Sequence, residues 1–138
     1  MSFRVEFTLD IAAFSVNKMT YRDVRFKTAE YKDWATAVLQ MLSEEKDLVD
    51  MAARFDDTKD AFLVEVCVEY PKHVFYNKAG SISSKTVDCT NVGKPLIDLI
   101  FRDTMGINDK HITRYVESKR VGARNQIKVV LALIPLKD

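Results

Sequence analysis

The decapeptide Gln126–Pro135, QIKVVLALIP, constrains the fold more than any other stretch. Its second half is apolar on both faces, and a strand with no polar side belongs in the interior of a sheet. Two further segments supply neighbours for it. Residues 3–9 (FRVEFTL) set Phe3, Val5, Phe7 and Leu9 against Arg4, Glu6 and Thr8, the period-two pattern of a half-buried strand. Residues 61–70 (AFLVEVCVEY) place Phe62, Val64, Val66, Val68 and Tyr70 on one face, with Leu63, Glu65, Cys67 and Glu69 on the other. Glu65 on that second face can approach a metal site, although a rim carboxylate is the stronger reading.

Helical spacing fills the intervals. Between residues 29 and 55, Trp34, Val38, Met41, Leu42, Leu48, Val49, Ala52 and Phe55 recur every three or four residues, which predicts an amphipathic helix broken near Lys46. Trp34 is expected in the core. Residues 56–60 form a polar turn, and residues 71–85, with Gly80 and closely spaced serines and lysines, are expected as a loop. The segment after the first strand, AAFSVNKMTYRDVRFKT, has no clean period and is also expected as a loop, with basic and aromatic residues on it. A second helix over 92–102 and a strand over 111–119 complete the order β, loop, α, β, loop, α, β, β. That order predicts a single domain over 1–138, α/β or α+β, with one mixed sheet and helices packed on it.

At 138 residues, 47% hydrophobic and 30% charged, the chain has the size and composition of one globular domain. VVLALIPL is its longest apolar run, far short of the roughly 20 residues that span a bilayer, and no secretory leader is evident. A cytoplasmic protein with no membrane partner is the expectation. Cys67 and Cys89 form no C-x-x-C pair and are expected as buried reduced thiols. Only four glycines occur, none spaced to cradle a phosphate, so no nucleotide cofactor is expected. His73 and His111 lack a nucleophile in a recognisable motif and read as surface or structural residues.

Chemistry concentrates between residues 88 and 119, DCTNVGKPLIDLIFRDTMGINDKHITRYVESK. Asn91 is a plausible helix N-cap, and Pro95 falls where its missing N–H costs little. Asn91, Lys94 and Asp98, spaced by three and four, share one helical face, with Asp88 and Thr90 just before it. Asp109, expected at the start of the next strand, can fold back beside Asp88. Converging carboxylates bind Mg²⁺, a hard cation that prefers oxygen ligands, and metal-assisted phosphodiester hydrolysis needs such a site. By spacing alone, an exposed i, i+4 ion pair is the stronger reading of Lys94 and Asp98.

A resemblance changes that weighting. Asp88-Cys-Thr-Asn91-x-x-Lys94-x-x-x-Asp98, followed by Asn108-Asp109-Lys-His-Ile, resembles the signature of the RusA family of Holliday-junction resolvases, D-x-D-N-x-x-K-x-x-x-D followed by D-D-x-x-[IV]. Ser15-Val16-Asn17, after the first strand, is similar to that family's early S-x-N loop. The resemblance implies a RusA-like fold and a homodimeric, Mg²⁺-dependent endodeoxyribonuclease, with Mn²⁺ as a possible substitute, that introduces paired nicks in a four-way junction or other branched DNA. It implies Asp88, Asp109 and Thr90 around the metal, Lys94 as the catalytic lysine, and Asn91, Asp98 and Asn108 as supporting residues. Its setting would be DNA recombination and repair in a bacterial cell or a phage-infected host.

Two departures weaken the metal set: Thr90 stands where the family often has a second aspartate, and Asn108 replaces the first acid of the D-D pair. They leave room for an alternative, a branched-DNA binding protein with weak or lost cleavage. Although net charge is only +1, basic residues cluster. Asn17 with Lys18, Arg22, Arg25, Lys78, Lys85, Arg114, Lys119 and Arg120 form the expected DNA-binding set, contacting phosphates without reading bases.

Overall fold

The computed structural model describes residues 3–15, 28–86 and 92–136. Four strands form one sheet: β1 (Arg4–Leu9), β2 (Asp60–Tyr70), β3 (Ile112–Val121) and β4 (Gln126–Pro135). Their spatial order is β1-β4-β2-β3, with β4 antiparallel to both its neighbours and β3 parallel to β2. The sheet is therefore mixed, and β4 lies inside it, as its two-sided apolar sequence requires. The fold is α+β.

Helices cover one face. Val5, Phe7 and Leu9 of β1, Phe62, Val64, Val66 and Val68 of β2, and Ile127, Val129 and Leu131 of β4 are buried beneath them. Helix α1 (Ala29–Ser43) starts where the Thr28 hydroxyl accepts a hydrogen bond from the Tyr31 N–H at 3.1 Å. It buries Trp34, whose indole N–H donates to the Ala12 carbonyl at 2.8 Å. The predicted break falls at Glu44 and Glu45, after which α2 (Lys46–Arg54) begins. Val49 departs from the predicted apolar stripe: it is exposed, because the break resets the helical phase and α2 buries Leu48 and Met51 instead.

The expected loop over 71–85 contains a short helix, α3 (Lys72–Phe75), and an isolated bridge between Tyr76 and Ile82. Pro71 precedes α3, and its carbonyl accepts the N–H groups of Val74 and Phe75. Helix α4 (Gly93–Ile97) continues without interruption as a π-helical segment, Asp98–Met105, so the helix is longer than the 92–102 predicted and changes register midway. A π turn rotates less per residue than an α turn. Three consecutive apolar residues, Leu99, Ile100 and Phe101, can thus all be buried, and the Thr104 hydroxyl donates to the Leu99 carbonyl five residues back at 2.8 Å.

The four-residue link between β3 and β4 crosses the end of β2, because those strands flank β2 rather than each other. The Gly122 N–H donates to the Tyr70 carbonyl at 2.8 Å. A Cβ on Gly122 would stand 2.6 Å from Glu69 Oε1, so only glycine lets the crossing run this close. Glu69 is sealed in as a result. Its carboxylate accepts from Arg120 Nε at 2.7 Å and Gln126 Nε2 at 2.5 Å, with Lys128 Nζ at 3.5 Å. Burial alone would raise its pKa, but these donors outweigh burial and hold it below the ordinary glutamate range.

Among the described residues, no helix is long and apolar enough to cross a membrane. Cys67 is unpaired and half-buried on the face of the sheet away from the helices, not fully buried as expected, since its neighbours there include polar Ser118 and Lys128. Cys89 lies outside the described residues.

Candidate active site

Lys94 is the residue through which separate elements meet. It belongs to the first turn of α4, and its ammonium lies 3.1 Å from Asp98 Oδ1, one turn on. The same ammonium lies 4.0 Å from Asp109 Oδ2, fifteen positions later in the chain. The first contact is what helical spacing dictates. The second depends on the chain reversing after the π segment. That segment ends at Gly106, in the left-handed region with φ 70°, and the Ile107 N–H returns to the Phe101 carbonyl at 2.9 Å.

Asp109 opens a 3₁₀ turn, Asp109–His111, just ahead of β3 and not within the strand as expected. The reason is local: the Asn108 side-chain oxygen accepts the Lys110 N–H at 2.8 Å and caps the turn. That bond occupies the Asn108 carbonyl in structure. Asn108 therefore acts on the site by fixing the turn from which Asp109 projects.

Lys94, Asp98, Asn108 and Asp109 line one cavity of about 410 Å³, together with Ile97, Phe101, Arg102, Gly106 and Ile107. This falls in the size range of small-ligand sites. Its floor is anchored to the core, with the Phe101 ring 4.9 Å from Phe62 of β2, edge to face. Phe55 contacts both Phe62 and His111, tying the 3₁₀ turn to the same aromatic cluster. Carboxylate and ammonium thus hang from elements that share one packed base. Asp98 is the more enclosed acid, its side chain 13% exposed against 48% for Asp109. Behind it, burial raises the Tyr31 phenol above its ordinary pKa, and the Asp98 charge adds to the shift.

Sequence reasoning missed three residues here. Arg102, on the cavity wall, stands one turn beyond Asp98 as Lys94 stands one turn before it; the i, i+4 spacing was available to find it. Tyr115 and Glu117, successive helix-facing residues of β3, lie against the start of α4, with the Tyr115 hydroxyl donating to Glu117 Oε1 at 2.5 Å. Burial, then this bond, push the Tyr115 phenol well above its ordinary range. A Cβ on Gly93 would collide with the Tyr115 hydroxyl oxygen and Glu117 Oε1, so the absence of a side chain there lets β3 seat the helix that carries Lys94.

The other expected site residues are placed as follows. Asp88, Thr90, Asn91, Asn17, Lys18, Arg22 and Arg25 lie outside the described residues. Lys78 and Lys85 are exposed in the segment between α3 and α4. Lys119 points to the helix side of β3 and donates to Thr86 Oγ1 at 2.9 Å. Arg114 and Arg120 point to the opposite sheet face, where Arg120 is engaged with Glu69. Glu65 is on that opposite face too, away from Lys94. The described basic residues do not form one surface: β3 alternates them between the two faces of the sheet.

The resemblance implies Mg²⁺ held by Asp88, Thr90 and Asp109; of these Asp109 is among the described residues, and its half-exposed carboxylate on the cavity wall is a hard oxygen donor of the kind Mg²⁺ takes. Asp98 is engaged with the Lys94 ammonium instead. Among the described residues no group of three His, Cys, Asp or Glu side chains is placed to hold a metal. Scanned against models of known families the chain matches none, and no curated protein gives a significant match.

Proposed function

We propose that the protein is a Mg²⁺-dependent, structure-selective DNA endonuclease of the RusA type, a homodimer that resolves Holliday junctions by paired phosphodiester hydrolysis. The observation that carries this reading is the approach of Lys94 to Asp98 and Asp109 at the rim of a single cavity. The surface ion pair suggested by spacing accounts for Asp98 but gives no reason for Asp109, from a separate turn, to meet the same ammonium.

In this reading Asp109, with Asp88 preceding α4 in sequence, holds the metal, and Thr90 contributes a hydroxyl oxygen without charge. Bound Mg²⁺ would lower the pKa of a water and neutralise charge on the phosphoryl oxygens. Lys94, a donor without lone pairs, presents positive charge to oxygens that become more negative in the transition state. Asp98 orients that ammonium from one turn away, as an enclosed carboxylate does best. Asn108 holds the turn of Asp109, and the apolar floor of Ile97, Phe101 and Ile107 limits water on one side.

The second reading, a branched-DNA binding protein with weak or lost cleavage, draws on one observation: the Asn108 oxygen is occupied in capping, and an amide stands where the resemblance expects an acid. A synthetic four-way junction labelled on opposing strands separates the two. With Mg²⁺, wild-type protein is expected to give symmetric nicks that EDTA abolishes. Asp88→Asn and Asp109→Asn are expected to abolish them while junction binding persists, and Lys94→Ala to slow them about 10²–10³-fold. Tight junction binding without nicks in Mg²⁺ or Mn²⁺ would favour the binding protein. Neither binding nor nicking would remove both.

A further inference from the structure

Resting on that reading, we infer that Arg102 is a positioning residue for the substrate backbone, gripping a DNA phosphate beside the reacting one, and that Asp103 holds its place when DNA is absent. Arg102 lines the Lys94 cavity from two turns further along the same helix, with its side chain 65% exposed. Its Nε and Nη2 donate to the two carboxylate oxygens of Asp103 at 2.9 and 3.1 Å. That two-pronged geometry is the one a guanidinium also uses on a phosphate. The two partners are adjacent in sequence and open to solvent, and such a pair contributes only about 0–1 kcal/mol. Exchanging the Asp103 carboxylate for a phosphate is accordingly cheap.

The charges of the cavity point the same way. Lys94 is engaged by two carboxylates, Asp98 and Asp109, and any phosphodiester entering must approach past that negative charge. Arg102 is the other cation on the cavity wall, and it stands on the helix side of the rim, where Asp98 also lies within reach of its field. Helix packing holds its Cα firmly, since Phe101 immediately before it is fully buried. A phosphate bound there would be set at a fixed distance from Lys94 along the helix, which aligns the strand without reading its sequence.

Equilibrium binding of a four-way junction in EDTA, across a series of salt concentrations, tests this. Arg102→Ala is expected to weaken binding about tenfold. It should also reduce the slope of log K against log salt by about 1, the signature of one lost phosphate contact. Asp103→Asn is expected to tighten binding, and the tightening should vanish in the Arg102→Ala/Asp103→Asn double variant. If Asp103→Asn tightens equally with and without Arg102, the effect is net charge and the assignment is overturned. It is likewise overturned if Arg102→Ala leaves affinity and slope unchanged while wild-type protein binds the junction. Failure of the wild-type protein to bind any branched DNA removes the nuclease reading itself, and the Arg102 role with it.

Discussion

Among the described residues Glu69 is the buried charged one, a carboxylate only 5% exposed beneath the β3–β4 crossing. Its partners Arg120 and Lys128 remain largely open to water, so deleting Glu69 strands no buried cation. Glu69→Ala should cost about 1.5–3 kcal/mol in urea unfolding at pH 7, the range for hydrogen bonds to a charged group. Because the folded pKa is depressed, this contribution is complete above the ordinary glutamate value of about 4.3 and is lost as pH falls through the folded value. Wild-type and Glu69→Ala stabilities should converge at acid pH. A gap that persists after Glu69 has become protonated in the folded protein would assign the effect to packing. Nothing in the alternation of residues 61–70 distinguished Glu69 from Glu65. Its burial comes from a link, residues 122–125, that returns across β2 much later in the chain, and a strand pattern does not encode what passes over its end.

The element that governs the site is the helix from Gly93 to Met105, α in its first turn and π thereafter. The i, i+4 relation of Lys94 and Asp98 was legible because helical geometry alone fixes it. The approach of Asp109 was not, since it depends on where the π segment stops, how the chain turns at Gly106 and which residue Asn108 caps. The π register itself had no signature beyond three consecutive buried apolar residues. Close seating of the helix start on Tyr115 and Glu117 yields a prediction at this scale. Gly93→Ala pushes the ends of those two side chains aside and breaks the hydrogen bond between them, and should destabilise by about 1 kcal/mol, read as a lowered melting temperature. In a Tyr115→Ala background most of that penalty should disappear. If Gly93→Ala is neutral in the wild-type background, the contact does not position the helix. If it is costly in both, something other than Tyr115 opposes the new methyl group.

For the whole molecule, a mixed sheet with β4 inside it and helices packed on it was legible, because the two-sided apolar run of β4 admits few positions other than the interior; the order β1-β4-β2-β3 was not, since it depends on long-range pairing that no single strand encodes. The proposed activity adds a requirement the sheet does not meet alone. A four-way junction offers two equivalent strands, and two nicks need two sites related by a two-fold axis. Sedimentation equilibrium at micromolar protein should accordingly give a dimer mass. A strict monomer that still makes paired, simultaneous nicks would contradict the symmetric mechanism. The most direct test of the central claim, that Lys94 and Asp109 act at one hydrolytic centre, is single-turnover cleavage of a labelled four-way junction in Mg²⁺ under saturating protein. The account predicts symmetric nicks by wild-type protein, none by Asp109→Asn, and the junction still bound by that variant. Nicking by Asp109→Asn at the wild-type rate would contradict it.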